Sequence, residues 1–284
     1  MYCFNRRSNE FERGLIHGFE ATTIHDIATG GIAMNVRVVI ACAALASVML
    51  LGVGTAQAET PSAKEILEKM EKMINGFDDQ QMDVKLTIVD VDGSKKAYEF
   101  TIWQKGDQKR LIKFTSGETK GMATLVMDRN NVYAYLPGFK KVRRVAAHNM
   151  NQSFAGSDFT NDDMATVSWT KVYDAKFDKE DAEAWYLTVT PKPGERSDYA
   201  KITLKIDKKY GTQLEAVYFN KAGEKVKRFD DTNLQLWDGV ARAKVVVVSD
   251  PRTGHRTEME IKTFKFNQKL SDDMFTERYL YLGK

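Results

Sequence analysis

Beyond residue 58, the side chains placed to do chemistry are two histidines, three neighbouring aspartates and a run of four cations. His148 and His255 stand in unrelated contexts, and the Gly-x-Ser-x-Gly turn that would present a nucleophile to either does not occur. No catalytic residue is assigned. Asp158, Asp162 and Asp163 offer hard oxygens, but their spacing does not follow the alternating acids of a calcium loop, and Asp162 and Asp163 equally fit the first turn of a short helix. No metal site and no cofactor are expected. A glycosidase needs two carboxylates in one cleft, and abundant acids alone do not place them. Cys3 and Cys42 both precede residue 59, which leaves the rest of the chain without thiolate or disulfide chemistry. Lys140, Lys141, Arg143 and Arg144 follow the Pro137-Gly138 turn within five residues. They read either as an edge strand guarded by charge or as a docking strip for an acidic partner surface or anionic headgroups. The available chemistry is therefore recognition.

Residues 34–58 read as an export signal. Arg37 supplies the positive start, Val38 to Val53 the apolar core, and Ala56-Gln57-Ala58 the small-x-small cleavage site. The apolar run is shorter than the roughly 20 residues that span a bilayer. Cleavage after Ala58 would deliver residues 59–284 to the periplasm, and residues 1–33 read as an extension upstream of the true start at Met34. Cys42 lies too close to Arg37 to be a lipidation site. The formal net charge of the whole chain is +3, which argues against nucleic acid as the main partner.

The elements that must position any site follow from periodicity. Ser62 and Glu65 form a capping-box pattern ahead of Ile66, Leu67, Met70, Met73 and Ile74 at helical spacing, and Gly76 stops the helix. From Gln81 onward period-two alternation takes over, punctuated by turn residues such as Asp92-Gly93, Tyr210-Gly211, Ala222-Gly223, Asp238-Gly239 and Thr253-Gly254. Roughly eleven to thirteen antiparallel strands are expected, and a sheet of that size curls through its accumulated twist. On the concave face the alternation places Leu86, Ile88, Phe100, Ile102, Leu187 and Val189, together with Ile202, Leu204, Val245 and Val247. Leu125, Met127, Tyr133 and Tyr135 are added as a soft lining for an apolar ligand. The segment from Ala146 to Thr166 breaks the alternation and carries Met150, Phe154, Phe159 and Met164 among Gly156, Ser157 and the three aspartates. A loop of that length is functional or a short lid helix, and the part from Met150 to Met164 reads as a mobile lid over a cavity mouth. No repeat or linker divides residues 59–284, so one domain is expected.

The succession Leu136-Pro137, Lys141-Val142-Arg143-Arg144 and Phe154-Ala155-Gly156-Ser157-Asp158-Phe159, preceded by Gly121-Met122-Ala123-Thr124-Leu125-Val126-Met127-Asp128, resembles the outer-membrane lipoprotein-sorting protein family. This LolA-like resemblance implies a mainly β fold, a half-open antiparallel β-barrel of the LolA/LolB type with an N-terminal helix and short plug or lid helices. It implies a periplasmic carrier that takes the acyl chains of a lipoprotein from an inner-membrane transporter, ABC- or RND-type, to an outer-membrane acceptor. Relatives of this branch accompany RND/MMPL-type exporters, so a free lipid is the alternative cargo. A non-shuttling accessory subunit of such an exporter or envelope complex is the alternative role. Exposing acyl chains to water costs about 0.8 kcal/mol per methylene, and a triacylated anchor at roughly 35 kcal/mol exceeds the ceiling of about 20 for non-covalent affinity. Partial burial with direct hand-off is therefore expected.

Overall fold

The computed structural model describes residues 60–165 and 168–283. The extension, the export signal and both cysteines lie outside the described residues.

Helix α1 (Ala63–Asn75) begins at the expected capping box. The Ser62 hydroxyl accepts from the Glu65 amide at 3.3 Å, and the Glu65 carboxylate accepts from the Ser62 amide at 2.8 Å. Its stripe of Ile66, Leu67 and Met70 is buried. The helix ends where the Gly76 amide donates to the Lys72 carbonyl; a Cβ at residue 76 would lie 2.3 Å from that oxygen, so only glycine fits.

Thirteen strands follow: β1 (Asp79–Val89), β2 (Lys95–Lys105), β3 (Lys109–Phe114), β4 (Ala123–Asp128), β5 (Asn131–Leu136), β6 (Lys141–Arg144), β7 (Tyr173–Glu180), β8 (Ala184–Pro191), β9 (Lys201–Asp207), β10 (Gln213–Phe219), β11 (Lys225–Trp237), β12 (Val240–Ser249) and β13 (Arg256–Phe266). The described residues also form short α-helices α2 (Asn161–Met164), α3 (Trp169–Val172) and α4 (Glu277–Leu282), with single 3-10 turns at Pro137–Phe139, Ala147–Asn149 and Asp272–Phe275. The expected turns fall between strands. Asp238 and Gly239 both take positive φ, 47° and 84°, which is the backbone of a tight hairpin whose twist matches its strands.

All thirteen strands form one antiparallel sheet in the order β6-β5-β4-β3-β2-β1-β13-β12-β11-β10-β9-β8-β7. The sheet is not closed: β6 and β7 are its two edges, while the first and last strands pair with each other at its centre. Because β6 and β7 are consecutive in the chain, residues 145–172 must cross from one edge to the other. Phe154, Phe159, Met164 and Val172 of this crossover enter the main core cluster with Met82, Val84, Leu86, Phe100 and Leu187. The crossover therefore lies on the inner face, next to the α1 residues of the same cluster.

Register decides the faces. Leu86 pairs with Met259 and Met259 with Val246, so Val246 and Val248 face inward. The expectation for Val245 and Val247 was displaced by one residue, which in a strand is enough to move a side chain to the opposite face. Another correction concerns β4 and β5. Leu125 pairs with Tyr133 and Ala123 with Tyr135, in register with Leu111 and Trp103, and these residues form a second cluster beneath Phe275 and Leu280 of the C-terminal segment. Asp79 holds that segment by accepting from the amides of Gln268 at 2.6 Å and Leu270 at 2.9 Å.

Candidate functional site

A cavity of about 240 Å³ opens on the inner face between α1, the crossover and the central strands. Met73 and Ile74 come from α1, Met82 from β1, Ile102 from β2, Phe159 and Met164 from the crossover, Val246 from β12, and Met259 and Ile261 from β13. Methionine has three rotatable bonds and a polarisable sulfur, which lets such a wall accommodate variable apolar shapes.

Of the residues expected to line a cavity, Ile102 does so, and Phe159 and Met164 of the expected lid join it. Leu86, Ile88, Phe100, Leu187 and Val189 share the inner face but are packed into the core beside it. Phe100 meets Phe114 at 5.2 Å and Phe154 at 6.2 Å between ring centroids. Leu125, Met127, Tyr133 and Tyr135 do not reach the cavity, because the C-terminal segment covers them on the other face. Met150 is buried in a small third cluster with Val126, Val132 and Ala165. Lys140, Lys141, Arg143 and Arg144 are all exposed at the free edge β6, beside Phe139 at 71% exposure. They do not make a single strip: Arg143 opposes Ala134 and Arg144 opposes Tyr133, so the cations alternate between the two faces.

Each of the three aspartates has its own partner. The Asp158 carboxylate lies 2.7 Å from His255 Nδ1 and accepts from the Thr257 hydroxyl at 2.7 Å. Asp162 meets Arg129 at 3.3 Å and Asp163 meets Lys227 at 2.6 Å. Asp163 also completes a capping box with Thr160 at the start of α2. The aspartates thus pin the crossover to β13, to the β4–β5 turn and to β11. Replacing His255 by alanine is expected to speed amide exchange at residues 154–160 about tenfold, as loss of a charge-assisted hydrogen bond of about 1.5 kcal/mol would. The melting temperature should shift little. Unchanged exchange in a deuterium-uptake experiment would show that Asp158 does not anchor the segment.

The polar part of the cavity went unnoticed in the alternation. Arg110 lies two residues before Ile112 and Arg242 four before Val246, both at inward positions of their strands and both in the cavity wall. Lys227, two before Phe229, also faces inward but meets the cavity only through its partner Asp163. A cation at an inward position was the available signal. Arg110 donates to the Met164 carbonyl at 2.6 Å and to Gln104 Oε1 at 2.8 Å; Arg242 donates to the Ile74 carbonyl at 3.2 Å and to Gln80 Oε1 at 3.0 Å. The Arg242 guanidinium also lies 4.4 Å from the centre of the Phe264 ring. Burial, reinforced by the neighbouring charge of Arg242, pulls Arg110 down to about 10, and burial pulls Arg242 to about 10 as well. The same burial pushes the Asp231 carboxyl up to about 7.

That shift has a definite sign. The folded protein binds the Asp231 proton more tightly than the unfolded chain, whose carboxyl titrates near 3.8. Its contribution to stability is therefore most favourable below pH 4 and is lost as pH rises towards 7. Asp231→Asn should flatten the stability profile between pH 4 and 7 in urea melts, gaining on the wild type at pH 8. A parallel profile for the variant would locate the titration elsewhere.

A family model described as uncharacterized protein matches residues 106–281. No curated protein matches the chain. Among solved structures, a DUF1329 family protein from Desulfovibrio piger superposes with a TM-score of 0.70 at 23% identity, covering 78% of this chain and 100% of the other. An outer-membrane lipoprotein-sorting protein domain from Vibrio parahaemolyticus gives 0.69 at 21%, covering 77% and 98%. A LolA superfamily protein from Nitrosomonas europaea gives 0.66 at 20%, covering 78% and 100%. At these identities the likeness is one of fold, and it is the half-open LolA-like fold expected from the sequence.

Proposed function

The chain belongs to the family of uncharacterized proteins whose model matches residues 106–281 and has the LolA-like fold; from that premise we propose that it is a periplasmic carrier. It binds the acyl chains of a lipoprotein or lipid on the inner face of its sheet and passes them between an inner-membrane transporter and an outer-membrane acceptor, with no catalytic step. The observation that carries this reading is the methionine-lined cavity beneath α1 and the crossover. Removing apolar ligand surface from water contributes about 25 cal/mol per Å², so a few hundred Å² suffice for useful affinity. Its volume of about 240 Å³ is below the roughly 300 Å³ at which small-molecule sites usually begin. Loading an acyl chain therefore requires the crossover or α1 to move outward, in keeping with a lid. No described helix is long and apolar enough to cross a membrane.

The test is native mass spectrometry of protein purified from a periplasmic extract, followed by lipid extraction and titration with a fluorescent fatty acid. A carrier brings lipid with it and binds the probe. If extraction recovers nothing and the probe fails to bind, the carrier reading falls. The accessory-subunit reading then takes its place, favoured by the free edge β6 with its four exposed cations and Phe139.

A further inference from the structure

The cavity wall contains two cations that a purely hydrocarbon cargo would not require. All four hydrogen bonds of Arg110 and Arg242 in the cavity go to neutral oxygens, two carbonyls and two amide side chains. On both guanidiniums the Nε is buried and has no hydrogen-bond partner. An unmade hydrogen bond on a buried charged group costs free energy, and the repulsion between the two guanidiniums adds to it, offset at Arg242 by Asp231 in the same wall. Apolar side chains of similar size would line a site for neutral chains at lower cost. The arrangement is instead complementary to an anion, since guanidinium donors match the oxygens of a phosphate or carboxylate.

Two acids, Asp163 and Asp231, line the same cavity, and each leaves room for such a group. Asp163 is committed to Lys227 at 2.6 Å. Asp231 is lifted by burial to about 7, so near neutrality much of its population is uncharged and repels an incoming anion weakly. Beside the two arginines, Met82, Ile102, Met259 and Ile261 continue the wall as a hydrocarbon surface.

We propose that this cavity selects an acidic amphiphile, seating its phosphate or carboxylate against Arg110 and Arg242 and its hydrocarbon chain along the methionine-lined wall. The proposal rests on the carrier reading and narrows it. The acyl anchor of a lipoprotein joins its chains through neutral ester and amide linkages, whereas a free fatty acid or a phospholipid carries the charge that the arginines match.

Isothermal titration of the wild type with laurate, dodecyl phosphate, methyl laurate and inorganic phosphate, all below micelle-forming concentrations, separates the possibilities. Laurate and dodecyl phosphate are expected to bind at least about tenfold more tightly than methyl laurate, the scale of one charge-assisted hydrogen bond. Arg242→Gln should reduce that preference to about twofold while methyl laurate still binds, and Arg242→Lys should keep most of it. Equal affinity for laurate and methyl laurate in the wild type overturns the headgroup site but leaves the carrier reading standing. Binding of none of the amphiphiles removes both. Inorganic phosphate binding as tightly as dodecyl phosphate would mark a small-anion site and overturn the amphiphile proposal. The wild-type comparison needs no variant, so the outcome does not depend on whether Arg242→Gln folds.

Discussion

Phe100→Ala is expected to lower the free energy of unfolding by about 3–5 kcal/mol, the usual result of emptying a packed aromatic site. For a domain of this size that corresponds to a fall of roughly 6–20 °C in melting temperature. Phe100 is 1% exposed at the middle of β2, paired with Val84 on one side and Phe114 on the other. Its ring also reaches Phe154, so it ties the crossover to the sheet. As a wall of a ligand cavity it would have had fewer partners, and a polar substitution would have spared the fold. The structure assigns it to the packed core, as it does Leu187, and a charge at either position should abolish folding before it affects ligand retention. Thermal unfolding followed by circular dichroism measures this directly; a shift of only a degree or two would return Phe100 to the cavity wall.

Lys227→Ala is expected to cost a further comparable amount, about 3–5 kcal/mol, because it strands a buried carboxylate. The side chains of Lys227 and Asp163 are only 9% and 11% exposed. The ammonium is surrounded by the rings of Tyr199, Tyr218 and Phe229 at 5.6 to 5.9 Å. Combining Lys227→Met with Asp163→Asn should recover most of the loss, since neither charge then remains buried and Asn can still accept at the start of α2. A double variant as unstable as Lys227→Ala would show that packing, not charge, was lost. Burial pushes the Lys227 amine down, but Asp163 and Tyr199 outweigh it and raise the amine above its ordinary 10.5. The contribution of the Lys227 proton is therefore complete below pH 10.5 and is lost as pH climbs through the raised folded value.

Much of the fold was legible because it is written in local rules. The capping box at Ser62 and Glu65, the glycine at residue 76 and the hairpin at Asp238-Gly239 each follow from the chemistry of two or three neighbouring residues. Alternation likewise separated Leu86 and Phe100 from Lys85 and Glu99. The site was less legible. Arg110 and Arg242 look like ordinary strand cations in sequence, and only their inward register brings them to one place.

What the sequence determined by itself was a meander of antiparallel strands with one amphipathic helix and an interrupted stretch before β7, since period, turn and cap depend on neighbours a few residues apart. Only the tertiary structure decided which face of each strand is covered and by what. Leu125 and Leu86 obey the same alternation, yet one lies beneath the C-terminal helix and the other beneath α1 and the crossover. The pairing of Asp158 with His255, 97 residues away, depends likewise on β1 and β13 meeting at the centre of the sheet and leaving β6 and β7 as its edges. Once those edges stand apart, the chain between them must cross the inner face. That crossing, together with α1 and the inward arginines, creates a cavity that no local pattern encodes.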